Sequence, residues 1–374
     1  MSTTVLQTWK PTGRTAIFIP ASGMPEMITQ SASHVPTGTQ VLVRVQYSAV
    51  NPADRRHFYM GYYSYVAGYE WLGVVEAAGP SSSFSVGDTL FGLTKLGHRR
   101  PVEFGAHQDL ILTETGPGSA AYKVPDGLQG RDEWPKHLVA WPVAIMTASD
   151  ALFNCLGFAF PPAKGEIDGV DPKGKAILIW GGSSAVGLGT IYLASKAGFN
   201  PIYTTASPKN HQALLALGAT RCFDYRSPTV VDEIRAVAAA ELGRELTVVF
   251  DAVTTGTGFG ERQSEGVEID LEKSSPALAA RCISDEAAKF CASLPLPHDP
   301  RWTFCLARRD EEEEYCRRNE ACMAWALDQL ASSGSGFRMP KINVMKGAEA
   351  GIRAIHDVFQ GKVSMEKYVI EHPL

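Results

Sequence analysis

Several protein classes are excluded by what this sequence lacks. Its 374 residues contain no apolar run near the roughly 20 residues needed to span a bilayer, so no membrane association is expected. Lysine and arginine form no cluster and the net charge is −5, which argues against a nucleic-acid partner. The arginine pairs at 55/56, 99/100, 308/309 and 317/318 are scattered and read as solvated faces. The 7 cysteines are irregularly spaced and include no CxxC pair. That pattern suits reduced, mostly buried thiols in a cytoplasmic protein rather than a disulfide framework. Residues Met1 to Thr8 lack the basic and apolar regions of a signal peptide. No internal repeat or low-complexity tract is present. The remaining composition is ordinary for a globular protein, with length enough for two domains.

What is present centres on residues 176–210. Ala176 to Trp180 is a short apolar run that reads as a buried parallel strand. A glycine-rich turn follows, comprising Gly181, Gly182, Ser183, Ser184, Ala185, Val186 and Gly187. A helix to about Gly198 and a second strand from Pro201 to Thr205 complete the unit. Strand, glycine turn, helix and strand is the opening unit of a dinucleotide-binding fold. Glycine lets the backbone turn sharply and approach a pyrophosphate. The helix N-terminus then offers free N–H groups and a positive dipole end.

The end of the second strand bears on cofactor choice. An acid there holds the ribose 2′-OH of NAD. Here the chain reads Thr204 to Asn210 without a carboxylate. Ser207 and Lys209 offer a hydroxyl and a positive charge to a 2′-phosphate, so NADPH is expected over NADH. The bland alternative is a polar turn that starts the next helix.

Short strands dominate the first third: Thr15–Ile19, Gln40–Ser48, Tyr69–Ala77, a turn and strand over Ser85–Gly92, and Gly105–Leu112. This predicts an irregular β-rich domain. Asn51 to Asp54 closes one of those strands. Residues 134–157 read as helix, and Phe158–Lys175 as a surface loop. Helices and strands then alternate to Leu294. Residues 256–273 read as a polar insertion. The acidic run from Asp310 to Glu314 opens a helix through Leu330, where negative charge suits the dipole. The end reads strand, helix, turn and strand from Ile342 to Val369.

These residues carry a family resemblance. Ala49–Asp54, Gly68–Gly79, Val86–Gly92, the glycine turn, Phe223–Arg226 and Phe250–Ala252 together resemble the medium-chain dehydrogenase/reductases. More narrowly they resemble the zinc-independent enoyl and quinone reductases. Gly181–Ser184, Ser207–Asn210, Asp224–Arg226, Ala292–Leu294 and Gly361–Lys367 make the chain most similar to the stand-alone, trans-acting enoyl reductases of fungal polyketide synthases. The resemblance implies an α/β fold with a GroES-like catalytic domain (1–147 and 337–374) and a Rossmann NADPH domain (148–336). Zinc members place Cys where Asn51 stands and His where Tyr69 stands, so no metal site is expected.

It also implies hydride transfer from NADPH to the β-carbon of an α,β-unsaturated thioester carried by a synthase. Thr147 falls beside the nicotinamide, or simply bonds back to its own helix. Asp54 and Arg56 fall at the cleft as catalytic candidates, or form a surface ion pair. Arginine stays charged and is a poor proton donor. The cofactor is expected to meet Asn51, Ala53, Arg55, the glycine turn, Ser207, Lys209, Asn210, Tyr225, Leu294, Pro295, Val363 and Ser364. Met146 and Arg301, Trp302, Thr303, Phe304 and Cys305 are expected to line the substrate tunnel. Prolines in Leu294–Pro297 disfavour pairing of that edge between subunits, so a monomer is expected. Quinone or enone reduction, and NADPH binding without catalysis beside a synthase, stay open at this point.

Overall fold

The computed structural model describes residues 14–30, 34–95, 100–128, 133–243, 246–261, 268–285, 287–334 and 336–374. The first part supplies strands β1 (Arg14–Ile19), β2 (Glu26–Gln30), β3 (Gln40–Ala49), β4 (Tyr65–Val66), β5 (Glu70–Ala78), β6 (Thr89–Leu93), β7 (Leu110–Glu114) and β8 (Ala121–Lys123). The middle supplies β9 (Ile177–Trp180), β10 (Ile202–Thr205), β11 (Arg221–Phe223), β12 (Val248–Asp251), β13 (Lys289–Ala292) and β14 (Trp302–Phe304). The end returns with β15 (Ile342–Lys346) and β16 (Lys367–Glu371).

Strands β9 to β14 form one parallel sheet in the order β11-β10-β9-β12-β13-β14. Counted within the sheet this is 3-2-1-4-5-6, the Rossmann order. Every residue of β9, β10 and β12 is buried, as expected where helices cover both faces. The order reverses between β9 and β12, and ligands bind outside the carboxyl ends of such strands.

The mixed sheet runs β15-β16-β3-β5-β6-β8, with β7 also on β3. Val41, Val43 and Val45 of β3 are buried and alternate with more exposed residues, the period-2 pattern of a strand with one face on the core. β16 pairs antiparallel with β3, where Val369 meets Ala49, 320 positions earlier in the chain. A small sheet, β2-β1-β4, flanks it.

The helical segment Trp134–Cys155 links the two halves, and the boundary expected at 147/148 falls inside it. Its mean hydropathy of 1.3 and length would suit a membrane span, but 89% of that stretch is buried inside the protein. It is π-helical over Pro142–Met146 and Asp150–Cys155, with an α-helical turn Thr147–Ser149 between. One hydrophobic core includes Leu72 and Phe91 of the mixed sheet, Ile145 and Phe153 of this segment, and Ile179 and Phe250 of the parallel sheet.

Three expectations need correction. Asn51–Asp54 leads into a helix, Ala53–Tyr59, rather than only closing a strand. The loop 158–175 is partly core, because Phe158, Phe160 and Ile167 are buried. Three of the arginine pairs are not simply solvated faces: Arg55, Arg308 and Arg318 are buried against acceptors or rings, whereas Arg317 is exposed as expected. Arg99 and residues 262–267 of the polar insertion lie outside the described residues.

Candidate active site

The glycine turn is built for close approach. Gly181 has φ +82°, a left-handed conformation that other residues rarely adopt. A Cβ on Gly182 would fall 2.1 Å from Thr204 Oγ1, and one on Gly187 would fall 2.3 Å from Gly181 O. Side chains there would push the turn off strand β10 or off its own helix. Ser184 caps the helix Ala185–Ala197 by accepting from Gly187 N–H at 3.0 Å. The C-terminal segment lies on this turn: Met365 N–H donates to Ser183 O at 3.0 Å. Val363 and Ser364 are half-buried there.

Beyond the end of β10, Ser207 and Asn210 are buried, and Lys209, Tyr225 and Arg226 form an exposed rim. Arg226 Nη2 donates to Ser207 Oγ, and its guanidinium lies 5.2 Å from the centre of the Tyr225 ring. Asn210 Nδ2 donates to Ser364 Oγ at 2.9 Å. The expected residues Ser207, Asn210 and Ser364 are therefore gathered, and Arg226 joins them. A dinucleotide fits this edge on three counts: a turn with no room for side chains, a helix N-terminus, and a rim carrying two cations.

Helix Ala53–Tyr59 faces this edge from the catalytic half. A Cβ on Gly260, which follows β12, would fall 2.6 Å from Arg56 Cγ, so Arg56 spans the junction of the halves. Its Nε is buried without a hydrogen-bond partner. Burial pulls the Arg56 guanidinium below its ordinary pKa, opposed by Glu261 and Asp251. Asp251 is the last residue of β12, and burial pushes its carboxyl up. An unpaired guanidinium N–H at the switch point is poised for an anionic or carbonyl ligand.

Asp54 is placed differently from the cleft-facing role expected for it. It is fully buried, and accepts from Asn51 N–H at 2.7 Å and Gly68 N–H at 3.0 Å. It also pairs with His107 Nε2 at 3.2 Å. From His107 a chain continues to Ser48 (2.8 Å), His372 (2.8 Å) and Asp109 (3.3 Å). Asp54 thus pins the loops on either side of the helix instead of meeting a ligand. Arg55 also turns away: its guanidinium reaches His356 Nδ1 at 2.8 Å and covers Phe359, both on the helix Ala348–Phe359. Ala53 is the first, half-buried residue of its own helix.

Asn51 belongs to a second buried network. Its Nδ2 donates to Glu70 Oε2 at 2.8 Å, and Lys367 Nζ donates to Asn51 Oδ1 at 2.6 Å. Lys367 also pairs with Glu70 at 2.8 Å. Glu70 Oε1 takes the N–H of Val143, an orphan donor at the helix start. This fixes the helix one turn before Met146 and Thr147. Both are buried, and Met146 Sδ receives the Tyr122 hydroxyl at 3.8 Å.

Arg301 to Cys305 do not form one lining. Trp302, Thr303 and Phe304 are the outer strand β14. Trp302 packs against Phe290 in the core, and Arg301 is paired with Asp299 at the surface. Thr303 Oγ1 bonds Phe290 O, and Cys305 is buried against Ala292 O. Phe304 alone is a large exposed apolar side chain here. Leu294 and Pro295 are half-buried just after β13. The prolines therefore do not lie on the edge strand of that side, which is β14.

Sequence reading missed four residues of this region: Arg226, Lys367, His107 and His57. Arg226 closes the motif Asp224–Arg226, three residues beyond the end of β11, and that position is the available signal. His57 Nδ1 and Tyr69 Oη share a hydrogen bond, with the Arg100 guanidinium 4.3 Å from the Tyr69 ring centre.

Comparison with known proteins agrees with this architecture. Residues 37–123 match the alcohol dehydrogenase GroES-like domain. The chain is 31% identical to the trans-enoyl reductase gkaC of Penicillium citrinum over 361 residues, covering 90% of this chain and 91% of that one. It is 33% identical to the dehydrogenase azaJ of Aspergillus niger over 382 residues, covering 96% and 99%. The crystal structure of the CurK enoyl reductase superposes with a TM-score of 0.66 at 17% identity, covering 96% and 99%. A mycobacterial protein complexed with NADPH superposes with a TM-score of 0.65 at 19% identity, covering 96% and 100%. With the Rossmann edge, the GroES-like half and these relatives in view, the chain is an oxidoreductase that belongs to the medium-chain dehydrogenase/reductases, in the branch of the fungal trans-enoyl reductases.

Proposed function

We propose that the chain is an NADPH-dependent enoyl reductase acting in trans on an α,β-unsaturated thioester held by a polyketide synthase carrier. The observation that carries this is the match to a trans-enoyl reductase along 90% of the chain. NADPH is supported by the carboxylate-free end of β10 and by Arg226 and Lys209 beside Ser207. An arginine fork suits a phosphate, and an acid at that point would repel it.

A bound nicotinamide would supply a hydride equivalent to the β-carbon. The turn residues Gly181 to Gly187 would hold the pyrophosphate, and Ser207, Lys209, Tyr225 and Arg226 the 2′-phosphate. Asn210 and Ser364, joined by a hydrogen bond, would close the ribose side. Arg56, with its unpartnered Nε, would stabilise the charge that develops on the thioester oxygen. Thr147 would orient the carbonyl. Asn51 acts through Glu70 and Lys367 to hold the helix start that places Thr147. β14 has only three residues, and so short an open edge favours a monomer.

The test follows NADPH absorbance with crotonyl-pantetheine, a simple quinone, and NADH as control. Thioester reduction with NADPH supports the reading. Reduction of the quinone alone replaces it with a small-molecule quinone reductase. NADPH binding without reduction, also on a carrier-bound polyketide, would leave a non-catalytic binding partner.

A further inference from the structure

The enoyl reductase reading leaves the second half of the reaction without an acid. Hydride addition makes an enolate, and the α-carbon then needs a proton. Arg56 stays charged and is a poor donor. The Asp54 carboxylate is enclosed and already takes two backbone N–H groups and His107. The Tyr65 hydroxyl is spent on Asp54 O at 2.8 Å. An aliphatic hydroxyl such as that of Thr147 is a weak acid.

We infer that Tyr69 protonates the α-carbon, and that His57 positions it by donating its Nδ1 proton to the phenol oxygen. This rests on the enoyl reductase reading. The placement supports it. Ala49 of β3 lies opposite Glu70 of β5, so Asn51 and Tyr69 leave the sheet at the same end. Glu70, next to Tyr69, binds the start of the helix that carries Thr147 one turn later. Arg56, next to His57, meets Gly260 across the junction. His57 thus shares the helix of Arg56, and Tyr69 is buried in the same core as Ile145 and Met146, the residues just before Thr147.

The surroundings suit the two roles. Arg100 is fixed by Gly68 O (2.8 Å), Thr94 Oγ1 (3.0 Å) and Val66 O (2.5 Å). Its cation over the Tyr69 ring stabilises the phenolate left after donation. Burial pushes the Tyr69 phenol up, so it keeps its proton until a strongly basic enolate takes it. Burial, Arg100 and Arg56 hold His57 at about 4, against the opposing Asp54, so the imidazole is neutral at pH 7. A neutral imidazole with its proton on Nδ1 gives one hydrogen bond to Tyr69 and leaves the phenol proton free. In the step, the enolate electron pair forms the α C–H bond and the Tyr69 O–H bond breaks. The phenolate is later reprotonated from water.

The experiment runs the reduction of a crotonyl thioester by NADPH in D2O. Wild type should place deuterium on one face of the α-carbon. Tyr69→Phe should slow turnover about 100-fold and label both faces, with NADPH affinity unchanged. His57→Phe should weaken face selection, and His57→Gln, whose amide N–H can replace the lost donor, should restore part of it. Nitrogen-15 NMR of the cofactor-free protein should show neutral His57 protonated on Nδ1, a readout that needs neither turnover nor a variant. One-face labelling at wild-type rate in Tyr69→Phe would overturn the inference. So would the Nε2 tautomer, or scrambling caused by Tyr62→Phe instead, whose ring also lies 5.1 Å from His57. If wild type consumes no NADPH with the thioester, the enoyl reading falls first, and this one with it.

Discussion

The carboxyl edge of the parallel sheet keeps two cations at the surface, whereas the other half of the molecule encloses two of its own. Lys209 and Arg226 are exposed beside a turn made of backbone N–H groups. Lys367 and Arg55 are each 3% exposed, and Lys367 is tied to Glu70 and Asn51. The first arrangement has unspent charge and attracts a phosphate. In the second, Lys367 is neutralised by Glu70 and Arg55 is turned onto His356 and Phe359, so neither faces outward to a ligand. One chain thus separates holding a ligand from aligning the groups that act on it.

Four substitutions or conditions would break or sharpen that contrast. The largest effect is expected for Lys367→Met. It leaves Glu70 buried and unpaired, and should cost about 3–5 kcal/mol of stability in urea unfolding. A loss under 1 kcal/mol would mean that the network is not structural. Gly187→Ala comes next. The new Cβ meets the Gly181 carbonyl, so calorimetric NADPH affinity should fall about 100-fold, or roughly 2.7 kcal/mol, while the fold stays intact. Arg226→Ala should weaken NADPH about tenfold, the size of one charged hydrogen bond, and leave NADH unchanged. Equal losses for both cofactors would place Arg226 off the 2′-phosphate.

The smallest effect is a pH dependence confined to the catalytic half. Burial lowers His372, and holds His57 at about 4 together with Arg100 and Arg56. The unfolded chain takes up protons near the ordinary value of 6.5, before the folded one can. Their contribution is therefore full above pH 6.5 and is lost as pH falls towards 4. Thermal unfolding across that window should show a falling midpoint, and His57→Phe should flatten part of the slope.

The difference between the halves also decides what could be read from the sequence. The cradle is local: strand, turn, helix and the Ser207–Asn210 stretch lie within 35 residues, and backbone geometry forces glycine where side chains collide. Most strands of the first third were legible for the same reason, through alternation and turn residues. The catalytic networks were not. Asn51 and Lys367 are 316 positions apart, and Ser48 and His372 are 324 apart. No spacing rule links such pairs, so nothing in the motifs Gly68–Gly79 and Gly361–Lys367 announces that Glu70 and Lys367 meet. Asp54 and Arg55 were assigned by motif position, yet two residues at adjacent helical positions point to different neighbours. Residues 301–305 were taken as a tunnel wall because a three-residue edge strand leaves little pattern.

The pairing of β16 with β3 also sets an order of events while the chain is being made. Tyr47 of β3 has its partner Glu371 only when nearly all of the chain has emerged. At about 5–20 residues per second, that edge of the sheet waits roughly 15–60 s for its neighbour. The strands of the parallel sheet are complete at Phe304, although its core also takes Met323, Ala326 and Leu330 of the following helix. All six parallel strands therefore precede β15 and β16 in the chain. The Met365 clasp on Ser183 arrives last, so the cradle is completed by the same final stretch that closes the catalytic sheet.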